Sequence, residues 1–346
     1  MYFSSSSSFP LLALPQLMQG LCYKQMDVWI YKLKYSQFVG IALNFSIFSI
    51  SYTLGNKIAT EAVSFHKYST PELLVTISWE NGRFNSQFYH FNEIGKVVGM
   101  WNIQWKNNKR PRNMKHIGAD SVVIKTYPSS SITDIHSSNP ISTTTALMDH
   151  FQKIYRKVNY TVRFEGVDLG EHALYKWKYL SGASKIELID SNIYVHHTQE
   201  FQSMLRPHQE LSIERGSVEL EKCPKVKKIT INASKYFAAN TFNNYNCEKI
   251  EVLEYTINHN DSVGFLTEWM AGSHKNLKMF TLFDADKVWL IYRLNPFKYQ
   301  GEKKMFYESD SGLIDCSEGY YIMRDDGTLG TLVFRENGVM QFVVWP

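Results

Sequence analysis

The sequence predicts a mixed α+β, in part α/β, fold: a short N-terminal helical segment, then a β-rich region of irregular repeats that ends in β-hairpins. Three observations predict it. Aromatic residues make up 14% of the 346 residues, with 21 Tyr and 21 Phe, and such side chains fit a pleated, half-buried surface. Apolar-x-apolar triplets recur through the second half of the chain. Asn-Gly and Asp-Gly pairs stand between alternating stretches, where tight hairpins need positive φ. A hydrophobic content of 44% at this length supplies core for two or three domains, or for one repeat array.

Charge and cysteine usage narrow the classes. A formal net charge of +4 is small for the length, so charge implies neither a nucleic-acid nor a membrane partner. Cys22, Cys223, Cys247 and Cys316 form no C-x-x-C pair. That scatter fits neither a disulfide scaffold nor a zinc site, and predicts small buried thiols in a reducing compartment. No basic residue precedes Lys24, and Pro10 and Pro15 break the first apolar run, so no secretory signal is expected. The N-x-S/T matches at Asn44, Asn159, Asn232 and Asn260 carry no meaning in a cytosolic chain.

In chain order, 1–8 is a polar lead expected to be disordered, and 9–58 opens on FPLLALPQLMQGLCYKQMD, from Phe9 to Asp27. Pro15 suits a first helical position, where its missing N–H would be unpaired anyway. Counting from Leu14, the residues Leu17, Met18, Leu21 and Cys22 fall on one helical face. So short a helix cannot bury its own stripe, which needs either the rest of the chain or a partner. The apolar run Phe38 to Leu54 holds Asn44, Ser46, Ser49 and Ser51. A bilayer crossing takes about 20 apolar residues, so a buried or divergent segment is expected there.

Residues 59–127 read as strands. ELLVTISW from Glu72 and RFNSQFYHF alternate on either side of Asn81-Gly82, which predicts a hairpin, and VVGMWNIQW and SVVIKTY continue the pattern. Lys106, Lys109, Arg110, Arg112 and Lys115 form a basic run at 106–116. Without interleaved aromatics it reads as a solvated loop, with nuclear import or nucleic-acid contact as the other reading. Residues 128–145, rich in Ser and Thr and holding Pro140, read as a linker or long loop. ALMDHFQKIYRKV follows as an amphipathic helix with Leu147, Phe151, Ile154, Tyr155 and Val158 on one face.

The triplets lie in 146–300: Val162-x-Phe164, Ile186-x-Leu188, Leu211-x-Ile213, Ile229-x-Ile231, Ile250-x-Val252 and Phe280-x-Leu282. Their steps of about 20 to 30 residues bracket those of leucine-rich repeats, so an irregular leucine-rich-repeat-like array is expected, with an ordinary α/β sheet as the alternative. SVGFLTEWMAGSHKNLKMFTLF within it predicts a helix capped by Asp261 or Ser262, with Val263, Leu266, Trp269 and Met270 as its stripe and Gly272 as C-cap. Residues 301–346 predict hairpins turning at Asp326-Gly327 and Asn337-Gly338.

Chemistry is sparse. No G-x-S-x-G, phosphate-cradling loop or H-E-x-x-H occurs, so no enzyme, cofactor or metal is expected. His196 and His197 would point to opposite faces of a strand and lack a third ligand. Asp284 and Asp286 read as a polar turn, and Asp325-Asp326-Gly327 as a hairpin turn rather than a calcium loop.

The opening FPLL-x-LP-x-LM-x-x-LC-x-x-x-MD resembles an F-box, with wording similar to the expanded nematode families. FL-x-x-W-x-x-G-x-x-x-NL-x-x-x-x-L from Phe265, and the hairpin wording YYIMRDDGTLGTL, resemble the type-2 F-box-associated domain, with Gly330 where that pattern carries Ala. The resemblance implies a substrate-recognition subunit of an SCF-type ubiquitin ligase, cytoplasmic or nuclear. A Skp-type adaptor and its cullin would be engaged by Phe9, Pro10, Leu11, Leu14, Pro15, Leu17, Met18, Leu21 and Cys22, and an unknown protein substrate by the C-terminal domain. After Asp27 the chain reads VWIYKLKYSQFVG, without the Ser-Lys-Arg wording of the family. A recognition module that no longer engages the ligase is therefore the alternative.

Overall fold

The computed structural model describes residues 72–91, 94–106, 115–127, 132–154, 157–218, 224–232, 247–253, 259–298, 306–310, 312–336 and 338–346. The described residues all belong to one unit, Lys67–Pro346, the second of the two into which the chain divides. The opening stretch and the run from Phe38 to Leu54 lie outside them, as does most of the basic run. No described helix is long and apolar enough to cross a membrane.

The second unit is β-rich, with few helices and one large mixed sheet of 15 strands. It begins with β1 (Glu72–Glu80), β2 (Arg83–Phe91) and β3 (Val97–Trp105), all antiparallel neighbours. Asn81 and Gly82, with φ of 52° and 72°, make the two-residue turn expected between β1 and β2. Then come β4 (Lys115–Ile117), β5 (Asp120–Thr126) and β6 (Ile132–Ser137), which close this edge with β6 parallel to β3.

Here the sequence reading needs correction, because the expected linker holds β6 and the opening turns of a helix, α1 (Pro140–Ile154). Asn139 caps it, its Oδ1 accepting from the Ser142 amide at 3.2 Å, and Pro140 takes the first helical position. The hydroxyl-rich composition is absorbed locally. Thr144 and Thr145 donate to the carbonyls of Pro140 and Ile141, while Ser86 and Thr144 hydroxyls meet at 2.5 Å across the helix–sheet contact. Leu147, Met148 and Phe151 are buried, and Phe151 packs against Phe88 and Trp101. The helix thus starts earlier than its apolar stripe suggests, and stops before Val158.

The triplets form one parallel ladder. β7 (Asn159–Glu165), β8 (Lys185–Ile189), β10 (Glu210–Glu214), β12 (Lys228–Asn232), β13 (Lys249–Leu253) and β14 (Met279–Leu282) pair in sequence, and β1 joins beside β7. Val75, Val162, Ile186, Leu211, Ile229, Ile250 and Phe280 are register partners in turn, so the apolar side chains form a continuous row on one face. All seven are fully buried or nearly so. Each strand alone leaves one face wet, and stacking buries it.

The corners between units repeat as well. Gly166, Asp190 and Arg215, each the residue after a strand, have φ of 64°, 48° and 53° and donate to Ile189, Glu214 and Asn232 carbonyls of the next unit. A second short parallel pair, β9 (Asn192–Ile193) with β11 (Ser217–Val218), runs beyond them. A Cβ at Gly216 would stand 2.4 Å from the Ser191 carbonyl oxygen, so only glycine admits this close stacking.

Two further helices fill the crossovers. α2 (Val195–Met204) buries Thr198 and Phe201, and α3 (His259–Met270) buries Ser262, Val263, Phe265, Leu266 and Trp269. α3 begins ahead of the expected caps at Asp261 or Ser262, but Gly272 ends it as expected. With φ of 94°, it donates to the Trp269 carbonyl while Ser273 donates to that of Glu268, the paired bonds of a Schellman motif. α4 (Lys287–Leu294) follows β14. β15 (Phe306–Ser309) and β16 (Gly312–Asp315) make a separate hairpin. β17 (Tyr320–Met323), β18 (Leu329–Phe334) and β19 (Met340–Val344) then extend the main sheet antiparallel from β14.

Candidate interaction surface

Because strand side chains alternate, the face opposite the apolar rows is set by the same registers. It carries a polar row that crosses the sheet: Thr76, Arg163, Glu187, Ser212, Thr230, Glu251, Thr281 and Gln341 are successive partners from β1 to β19. Toward the other edge Thr76 continues to Gln87, Asn102 and Asp134. This row of hydrogen-bonding groups crosses eleven strands; Thr76 and Thr281 in it are buried, and the stretch from Arg163 to Glu251 is partly exposed and can meet a polypeptide surface. It holds no nucleophile with its base, and among the described residues no group of three or more His, Cys, Asp or Glu is placed to hold a metal ion.

Ion pairs fix the middle of this row. Glu187 accepts from Arg163 Nε at 2.6 Å and pairs with Lys185 Nζ at 2.6 Å, and Glu251 pairs with Lys228 Nζ at 2.8 Å and accepts from Thr230 at 3.3 Å. Burial pushes the Glu187 pKa up, but the hydrogen bonds from Lys185 and Arg163 outweigh it and hold the carboxyl below the ordinary glutamate value of 4.5. A depressed carboxylate stabilises the fold above the unfolded-state value, and loses that contribution as pH falls through the folded-state one. Replacing Arg163 with Met should cost about 1 to 2 kcal/mol at neutral pH, discounted because the guanidinium is partly exposed. Urea unfolding should show the deficit shrink in acid. An equal deficit at pH values on both sides of the glutamate range would mean that the pair is not its source.

The residues singled out by sequence fall variously. Phe9, Pro10, Leu11, Leu14, Pro15, Leu17, Met18, Leu21 and Cys22 lie outside the described residues. His196 and His197 sit in the first turn of α2, not on a strand, and belong to an aromatic stack. His197 lies 4.1 Å from the Tyr175 ring and 3.9 Å from His196. The chain has already left the short β9 at Ile193, and Tyr194 is the N-cap of α2. Asp284, with φ of 57°, and Asp286 form a turn, and Asp286 caps α4 by accepting from the Trp289 amide at 2.9 Å. Asp326 accepts from Arg324 and from the Thr328 amide, and these bonds hold its carboxyl far below the usual range in a hairpin turn. Cys247 and Cys316 are buried, and burial pushes the Cys316 thiol up to about 11.

Sequence reasoning missed the polar row. Its signal lay between the apolar pairs, in the middle residues of the triplets, such as Arg163, Glu187 and Glu251, but only the register shows that they are neighbours.

Residues 221–282 match the family model described as F-box associated. The match lies within 146–300 and spans β12, β13, α3 and β14, the far half of the parallel ladder. No curated protein and no solved structure matches the chain. The F-box associated span is tied to the C-terminal strands through Trp269. Its indole meets Phe342 edge-on at 4.8 Å, the Arg324 guanidinium lies 5.5 Å from its ring, and the Asp325 amide donates to the Met270 carbonyl at 2.8 Å.

Proposed function

We propose that this chain is a substrate-recognition subunit of an SCF-type cullin–RING ubiquitin ligase. The observation that carries the reading is the F-box associated match at 221–282, set in a ladder that carries a row of polar register partners from Arg163 to Glu251. The F-box-like opening supports it by resemblance. In this reading Leu14, Pro15, Leu17, Met18, Leu21 and Cys22 enter the Skp-type adaptor, and the cullin is recruited through that adaptor. The leucine-rich-repeat-like array holds a protein target. Strand partners Thr161, Lys185, Glu210, Lys228, Lys249 and Met279 stand 24, 25, 18, 21 and 30 residues apart, which supports irregular stacked units. The subunit is not an enzyme and takes no cofactor, and its contribution is proximity between target and charged ubiquitin. It acts in the cytoplasm or nucleus.

Co-purification of the full chain with a Skp-type adaptor and cullin is the test. Capture is expected, and Leu17→Asp with Met18→Asp should abolish it. Capture undiminished by the double substitution would overturn the proposed contact. The absence of the Ser-Lys-Arg wording after Asp27 favours a second reading, a recognition module that has left the ligase, and failure of the unaltered chain to capture the adaptor is its expected result.

A further inference from the structure

We infer that the cleft at the turn-proximal end of β1–β3 is a recognition site for a neutral, carboxamide-bearing peptide segment in extended conformation. The cleft has a volume of about 260 Å³. Asn85 and Gln87 on β2 face Gln104 and Asn102 on β3 as direct register partners, so four carboxamides share one patch of its floor. The Trp105 ring, with the Arg83 guanidinium 4.0 Å from its centroid, forms a wall.

The hydrogen bonds already made leave a complementary remainder. Gln87 uses its Oε1 to accept from the Tyr89 hydroxyl at 2.7 Å, which leaves its Nε2 donors. Asn102 uses its Nδ2 to donate to Asp134 at 3.0 Å, and its Oδ1 is buried with no partner. A donor and an acceptor on adjacent strands are what an incoming amide, with one C=O and one N–H, can satisfy. A buried acceptor left unpaired is costly, so a ligand N–H that reaches it after a small side-chain shift gains affinity.

Charge and spacing select the ligand. Glu80 and Arg83 offset each other at the rim and the carboxamide floor is uncharged, so an ionic ligand seated on the floor would exchange its hydration for neutral dipoles, which favours a neutral one. Carboxamides at i and i+2 along both β2 and β3 repeat at the strand period of about 7 Å, the period of same-side groups in an extended peptide. This site deepens the target-recognition reading and rests on it. Because the assay contains no adaptor, its outcome is independent of ligase docking.

The test is fluorescence anisotropy of the full chain with labelled Ac-Thr-Gln-Thr-Gln-Thr-amide. The glutamate analogue Ac-Thr-Glu-Thr-Glu-Thr-amide and maltotriose serve as competitors. Saturable binding of the glutamine peptide is expected, about tenfold tighter than that of the glutamate peptide. Gln87→Leu should weaken it about tenfold. Gln104→Ala, a milder change, should weaken it severalfold with an unaltered thermal melt, which separates loss of the site from loss of fold. No binding at about 1 mM peptide, equal affinity for both peptides, undiminished binding by both variants, or displacement by maltotriose alone would each overturn the inference.

Discussion

Gln209→Leu is expected to lower the stability of the second unit by about 3 to 5 kcal/mol. Gln209 sits just before β10 and is fully buried, yet every polar atom of its amide is occupied. Its Nε2 donates to the Leu180 carbonyl at 2.6 Å and to the Ala183 carbonyl at 2.7 Å, and its Oε1 accepts from the Arg206 amide at 2.6 Å. One side chain therefore satisfies three backbone groups in the turns beneath two neighbouring units. Leucine of similar volume would leave the buried Ala183 carbonyl without this partner, the Leu180 carbonyl with only the Ala183 amide at 3.4 Å, and the part-buried Arg206 amide unpaired, each loss costing about 1 to 3 kcal/mol against a smaller gain from apolar burial. Urea unfolding followed by far-UV circular dichroism measures the difference. A loss below about 1 kcal/mol would mean that water replaces the amide there.

Gly330→Ala should cost about 2 to 3 kcal/mol, a large effect for one methyl group. A Cβ at Gly330 would lie 2.3 Å from the Phe342 ring and 3.1 Å from Trp269. Phe342 is itself fully buried and held edge-on by Trp269, so it has no free direction in which to yield. The aromatic ring covers the bare backbone of the neighbouring strand, filling the space a side chain would take. Phe342→Leu alone removes ring contacts and should also destabilise. The double variant should recover part of the sum, because the smaller leucine makes room for the methyl. Strict additivity of the two losses would show that the clash does not govern the position.

These two sites mark the limit of local reading. Gly330 is visible in the sequence only as a departure from the Ala of the resembling pattern, and Gln209 only as a polar residue ahead of a strand. Their roles depend on partners at Phe342 and at Leu180, which no local period points to. The Asn81-Gly82 turn, the Gly272 cap and the Asp326-Gly327 turn were legible because each depends on the φ of one or two adjacent residues. The serine and threonine stretch at 128–145 was misread because its composition suits both a loop and a helix whose hydroxyls bond back to their own carbonyls.

What the sequence by itself determined is the two-faced character of the strands. Alternation in Val162-x-Phe164 and its five counterparts sets which side chains turn inward, whatever the neighbours are. Only the tertiary structure decided that these strands share one sheet with β1, where Val75 lies beside Val162, and with the antiparallel C-terminal strands, where Phe280 lies beside Phe342. The polar row and the carboxamide cleft follow from that pairing. Periodicity acts within a strand, whereas register is settled between segments far apart in the chain, by burial of the apolar rows as whole units stack.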